Sequence, residues 1–165
     1  MKTAIVYYSR TGNTKQAAHH LEQKLKDHKQ DVDLIEIQAE KTLGFFRAGR
    51  AGLKQEPLPI ANKEFDMNDY DAIVVGVPTW AGKPAPYYKS FFEKAEHIKG
   101  KPTAMFLSQG GNDVHTSLDE TLKEYLQTRG LEPINSVLRV QMKKGEIIDG
   151  EQNINEFVSR LVRKT

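Results

Sequence analysis

Two hydrophobic periods alternate along the chain. Continuous apolar runs at Thr3–Tyr8, Ala72–Val77 and Thr103–Leu107 are rich in β-branched and aromatic residues and are each followed by turn residues. That pattern predicts strands buried on both faces. Val32–Ile37 and Ile134–Val140 mix in Asp33, Glu36, Asn135 and Arg139, which suits strands nearer a sheet edge. Between these runs the spacing turns helical. Ala17, Ala18, Leu21 and Leu25 make one stripe, and Tyr87, Tyr88, Phe91, Phe92 and Ala95 a second. Leu118, Leu122, Tyr125 and Leu126 make a third, and Ile154, Phe157, Val158, Leu161 and Val162 a fourth. Ser117 followed by Glu120 has the spacing of a capping box for the third helix.

Strands interleaved with helices need crossover connections, and crossovers build parallel sheets. The predicted fold is therefore α/β, a doubly wound five-stranded parallel sheet with helices on both faces. A chain of 165 residues has room for one such domain, spanning residues 1–165. Such sheets bind ligands beyond the carboxyl ends of their strands, beside the point where strand order reverses. The loops after Tyr8, Val77 and Leu107 are thus the candidate site. Residues 38–68 break the alternation and form an irregular arm, in which Leu43, Phe46 and Leu53 suit one face of an interrupted helix.

Charge narrows the partners. Twenty-four Lys and Arg offset 22 Asp and Glu, too weak a balance to make nucleic acid or a membrane surface the expected partner. The excess is local: Lys41–Lys63 holds Lys41, Arg47, Arg50, Lys54 and Lys63 against the single acid Glu56. With no cysteine, thiolate nucleophiles, disulfides and cysteine metal sites are excluded. His19, His20, His28, His97 and His115 lack the H-E-x-x-H spacing, so no metal site is expected. Only five apolar residues, Ala4–Tyr8, follow the N-terminal Met-Lys-Thr, short of a signal segment. No apolar run approaches a membrane span. A cytoplasmic location is expected.

Ser9-Arg10-Thr11-Gly12-Asn13-Thr14 leads from a buried strand into a helix. A helix start offers free N–H groups and a positive dipole end to a phosphate. The hydroxyl and amide side chains add neutral donors, and Gly12 permits a tight turn. Plain helix capping would use the same residue types. The nucleoside-triphosphate loop G-x-x-x-x-G-K-[ST] and the dinucleotide loop G-x-G-x-x-G are both absent. The hexapeptide resembles the phosphate loop [ST]-x-[ST]-G-x-T of the flavodoxin family, and the resemblance extends over nearly the whole chain. It implies noncovalent FMN, with the 5′-phosphate held by Ser9, Thr11, Gly12, Asn13 and Thr14 and with Arg10 at the variable position.

Two later loops would hold the flavin ring. Pro78-Thr79-Trp80-Ala81-Gly82-Lys83 resembles the family loop that sets an aromatic ring over the flavin. Trp80, the only tryptophan, would stack, and Gly82 would let the backbone respond at flavin N5. A packing role for Trp80 and a turn role for Gly82 are the structural alternative. Ser108-Gln109-Gly110-Gly111-Asn112-Asp113 would lay bare backbone against the ring, with Asn112 or Asp113 at its polar edge. Asp113 equally suits a helix cap. This loop carries no aromatic residue, where flavodoxins commonly place a tyrosine, so one flavin face is left open or covered by the arm. In the arm, Phe45 and Phe46 would cover the ring or an adjoining subunit, and Arg47 and Arg50 would hold a phosphate or an acidic partner. A solvated basic helix with Phe46 tucked into the core is the alternative.

Related topologies lack their chemistry here. A phosphoacceptor domain needs acids where Tyr7, Tyr8, Ser9 and Pro78 stand, and a serine hydrolase needs a G-x-S-x-G elbow. The resemblance implies an FMN protein that carries electrons, with no catalytic side chain because the flavin supplies the chemistry. The alternative is an FMN-dependent NAD(P)H oxidoreductase acting on quinones or similar acceptors, favoured by the open ring face. A binding module without flavin is opposed by the intact phosphate loop and by Trp80. The partner is accordingly a redox protein or NAD(P)H, and a homodimer is compatible with either.

Overall fold

The computed structural model describes residues 1–111, 117–134 and 137–164. In chain order the first half contains β1 (Lys2–Tyr7), α1 (Asn13–Asp27), β2 (Asp31–Glu36), α2 (Phe45–Lys54), β3 (Phe65–Asp66), β4 (Ala72–Trp80) and β5 (Lys83–Pro84). The second half contains α3 (Tyr87–Lys94), β6 (Ala95–Glu96), β7 (Pro102–Gln109), α4 (Ser117–Thr128), β8 (Glu132–Pro133), β9 (Leu138–Lys143), β10 (Glu146–Asp149) and α5 (Glu151–Lys164).

Strands lie in the order β10-β9-β7-β4-β1-β2. β1 is central: Val6 lies opposite Ile35 of β2 on one side and Val75 of β4 on the other, parallel to both. β4 continues in parallel to β7 (Val75 opposite Met105), and β7 to β9 (Ser108 opposite Val140). These five parallel strands are the doubly wound sheet that the sequence predicts. Among the described residues the sheet has eight strands, not five. β10 folds back antiparallel on β9, β5 folds back on the end of β4, and β8 pairs with β7.

The last predicted strand is displaced for a related reason. It begins at Leu138 and runs to Lys143, because Lys144 (φ 51°) and Gly145 (φ 85°) make a two-residue hairpin turn. Positive φ at both central residues matches the right-handed twist of the strands on either side.

Strand alternation sorts β1 and the residue after it onto two cores. Ala4, Val6 and Tyr8 join Phe91 of α3 and Leu122 and Leu126 of α4. Ile5 and Tyr7 join Leu21 of α1 and Phe157 and Leu161 of α5. Each fully buried side chain of this kind contributes roughly 1.5–3 kcal/mol. The sheet centre is tightly fitted: a Cβ at Gly76 would lie 2.0 Å from the Phe106 ring, so no larger residue fits there without displacing that ring.

The arm does not take the helical face that Leu43, Phe46 and Leu53 suggest. α2 buries Ala48 and Gly52 instead, and leaves Phe45, Phe46 and Leu53 exposed. Close approach decides this. A Cβ at Gly52 would lie 2.4 Å from the Trp80 carbonyl oxygen, so α2 seats its small residues on the end of β4. Gln55 fastens that seat, donating to the carbonyls of Gly52 and Pro84 at 2.8 Å each and accepting from Tyr88 Oη at 3.1 Å.

Candidate functional site

The strand order reverses beside β1, where the chain passes to β2 on one side and afterwards to β4 on the other. The carboxyl ends of β1, β4 and β7 meet there, as the switch-point rule requires. Tyr8 N–H donates to the Gly76 carbonyl at 2.9 Å, keeping β1 and β4 together up to the loop. Gly12 then turns the chain with φ 92° and donates its N–H to Ser9 Oγ at 3.1 Å. Among the described residues no side chain caps α1, so its first amides and dipole end are open to an anion.

A cavity of about 130 Å³ opens at this point. It is lined by Arg10, Thr11, Asn13 and Thr14 from the first loop, Pro78, Thr79 and Trp80 from the second, and Ser108, Gln109 and Gly110 from the third. Thr14 Oγ1 and Ser108 Oγ hydrogen-bond at 2.7 Å across 94 residues of sequence, and both side chains are buried. Among the described residues, Thr79 Oγ1 is buried and has no hydrogen-bond partner. Native proteins rarely leave such a group unpaired.

Other predicted site residues stand apart. Ser9 and Gly12 shape the turn, and Gly111 lies just past Gly110, with open space where its Cβ would be. Ala81 (φ 49°) and Gly82 (φ 75°) are the two-residue turn between β4 and β5. Lys83 follows them, paired with Trp80 across the hairpin. Burial, then the charge of Arg129 and to a smaller degree that of Lys83, hold the Lys89 ammonium below its ordinary pKa. Asn112, Asp113 and His115 lie outside the described residues.

Trp80 is 93% buried by its own neighbours rather than laid open. Its ring meets Tyr8 at 5.9 Å and 90° and Tyr87 at 5.9 Å and 78°, both edge to face. Tyr8 and Tyr87 pack together at 3.9 Å. Burial raises both phenol pKa values, so both hydroxyls are neutral at neutral pH. The sequence reading missed this aromatic triad, although Tyr8 and Tyr87 both stand in its apolar runs. It also missed the use of Asn13, whose Oδ1 accepts from Gly145 N–H at 2.9 Å. That bond ties the β9–β10 turn to the start of α1. The Lys144-Gly145 pair following a strand was the available signal.

Comparison with known proteins identifies the family. The family described as NADPH-dependent FMN reductase matches residues 1–143. The chain belongs to that family. FMN is its cofactor, and its flavodoxin-like architecture recurs in solved structures. A putative flavoprotein from Bacteroides uniformis is similar with TM-score 0.70 and 18% identity, covering 96% of this chain and 97% of that one. Flavodoxin 2 from Bacillus cereus is similar with TM-score 0.65 and 22% identity over 100% of both chains. These show the fold. Among curated relatives, an NAD(P)H dehydrogenase (quinone) of Caulobacter vibrioides is 31% identical over 94 residues, 57% of this chain and 46% of that protein. A quinone-oxidoreductase QR2 of Triphysaria versicolor is 28% identical over 130 residues, 71% of this chain and 61% of that protein. The chain thus spans about half the length of the curated relatives it matches.

The cavity suits the phosphate end of this family's cofactor. Whole-ligand pockets run to roughly 300–1,000 Å³, so 130 Å³ has room for a group of phosphate size and not for a whole flavin nucleotide. The lining supplies hydroxyls, helix-start amides and the Arg10 guanidinium, which donates to the Leu43 carbonyl at 3.5 Å. Thr79 Oγ1 supplies a buried donor without a partner. Among the described residues, no helix is long and apolar enough to cross a membrane.

Proposed function

We propose that this chain is an FMN-dependent NAD(P)H oxidoreductase acting on quinones or acceptors of similar chemistry. The observation that carries the reading is the cavity at the switch point, in a member of the FMN reductase family, with bare glycine backbone on one side of its mouth. Ser9, Thr11, Gly12, Asn13 and Thr14 would hold the phosphate, with Ser108 and Thr79 completing the donor set. Arg10 would neutralise phosphate charge. Asn13 would offer its backbone N–H and its side-chain Nδ2, because only the side-chain oxygen is engaged by Gly145.

FMN held at this site would supply the hydride chemistry between a nicotinamide and an acceptor. The protein's part is positional. Trp80, packed against Tyr8 and Tyr87, fixes one wall of the ring site. Gly110 and Gly111 form the other with backbone alone, and Ser108–Asp113 holds no aromatic side chain. A nicotinamide and a flat quinone would use that open face in turn. Ala81, Gly82 and Lys83 would border the ring from the hairpin, and Gln109, Asn112 and Asp113 its polar edge.

Anaerobic mixing of FMN-loaded protein with NADH and with NADPH tests the reading. Rapid bleaching of the flavin by one of them, followed by reoxidation with a soluble quinone, is expected. Bleaching slower than turnover by both, with fast reduction by a one-electron donor, would assign the chain to the electron-carrier reading instead.

A further inference from the structure

The whole-chain charge of +2 conceals an uneven surface. Five basic residues stand against one acid in Lys41–Lys63, and 19 against 21 elsewhere, so the arm is +4 and the remainder −2. No acid occurs between Lys41 and Gln55. Among the described residues Lys41, Arg47 and Arg50 form no ion pair, and Lys54 reaches Glu56 only at 3.8 Å.

The same segment is apolar on its outside. Phe45 is 75% exposed, Phe46 90% and Leu53 61%. Of the five large hydrophobic residues exposed among those described, three are on this ten-residue helix. Because α2 buries Ala48 and Gly52, helical geometry turns Phe46, Arg50, Leu53 and Lys54 to the opposite side. A short helix that carries exposed aromatic and leucine side chains among arginines has the composition of one lying in a lipid interface.

We infer that α2 is a docking surface for an anionic lipid membrane, with Phe45, Phe46 and Leu53 entering the headgroup boundary and Lys41, Arg47, Arg50 and Lys54 pairing with lipid phosphates. Charge selects this occupant. A second copy packed through the same face would bring +4 against +4, a like-charge contact that disfavours an isologous dimer. An anionic bilayer meets the cations and the apolar side chains together. This is a surface contact, compatible with the absence of a long apolar helix among the described residues.

The geometry also joins the surface to the site. Gly52 rests on the backbone of Trp80, so a membrane on the outer face of α2 lies one helix thickness from the cavity wall.

Cosedimentation of the FMN-loaded protein with vesicles tests the docking. Vesicles of phosphatidylglycerol and phosphatidylcholine in equal parts are compared with vesicles of phosphatidylcholine alone. Binding to the anionic vesicles only, weakening with salt, is expected. Arg47→Gln with Arg50→Gln should lower the partition coefficient roughly 30-fold, about fivefold per charge. Phe45→Ser with Phe46→Ser should lower it at least as far, and the visible flavin spectrum should not change. No sedimentation with anionic vesicles overturns the inference, as does binding indifferent to both double variants. If the phenylalanine variant converts a dimer to a monomer while the native chain ignores vesicles, the face belongs between copies and the inference fails. Capture by an acidic protein without vesicle binding also overturns it. Sedimentation requires neither nicotinamide nor quinone, so its failure is separable from failure of the proposed reaction.

Discussion

Gly49 and Gly52 stand three residues apart on α2, and replacing each with alanine should move stability in opposite directions. An interior helical glycine costs about 1 kcal/mol relative to alanine. A Cβ at Gly49 meets nothing within 4 Å, so Gly49→Ala should gain up to about 1 kcal/mol. At Gly52 the added carbon would lie 2.4 Å from the Trp80 carbonyl oxygen, 2.9 Å from Trp80 Cβ and 3.0 Å from Trp80 C. None of these atoms can rotate away, so either the helix or the β4–β5 hairpin must shift. Overpacking of this kind costs about 1–3 kcal/mol, and the same propensity gain offsets part of it. The two variants should therefore differ by roughly 1–3 kcal/mol in urea unfolding, with Gly52→Ala the weaker. Because the shift falls on Trp80, Gly52→Ala should also weaken FMN binding, whereas Gly49→Ala should not. Equal stabilisation by both alanines would mean that α2 does not sit on Trp80, and would remove the link between the arm and the cavity.

Three further outcomes follow from individual contacts. Asn13→Ala removes the acceptor for Gly145 N–H and should cost about 1 kcal/mol, with faster hydrogen exchange at the Gly145 amide as its specific sign. Gln55→Ala releases the bonds to Gly52, Pro84 and Tyr88 and should destabilise by about 1–3 kcal/mol, with protease cleavage appearing first within residues 45–55. Asp33 is held below the ordinary carboxylate range by hydrogen bonds from Lys2 and Tyr70. Its contribution is therefore present above its unfolded pKa and lost as pH falls through the lowered folded one. Asp33→Asn should flatten the acid side of the stability–pH curve from the ordinary carboxylate range downward, and an unchanged curve would show that the pair is silent.

Periodicity made the central sheet legible because strands buried on both faces must be continuously apolar. Thr3–Tyr8, Ala72–Val77 and Thr103–Leu107 each seed a parallel strand at its expected place. The place of the first loop was legible too, since the turn between β1 and α1 lines the cavity at the carboxyl ends of the strands. What escaped was set by tertiary contacts. Phe46 reads as a core residue by its type, yet glycine and alanine take the inner face of α2 because only they can approach the Trp80 backbone. Trp80 reads as either a stacking platform or a packing residue, and Tyr8, 72 residues before it, and Tyr87, seven after it, meet it edge-on. Asn13 also accepts through its side-chain oxygen from Gly145, 132 residues away, in a hairpin that no apolar period announces.

The most direct test of the phosphate site compares FMN with riboflavin by flavin fluorescence titration, in the native chain and in Thr14→Val. Thr14 is 99% buried and bonded to Ser108, so valine keeps its shape and removes only the hydroxyl. The native chain should bind FMN at least about tenfold more tightly than riboflavin, the value of one charge-assisted hydrogen bond. Thr14→Val should narrow that ratio chiefly by weakening FMN. Equal affinities for the two flavins, or an equal loss of both in the variant, would contradict the placement of the phosphate at the carboxyl ends of β1, β4 and β7.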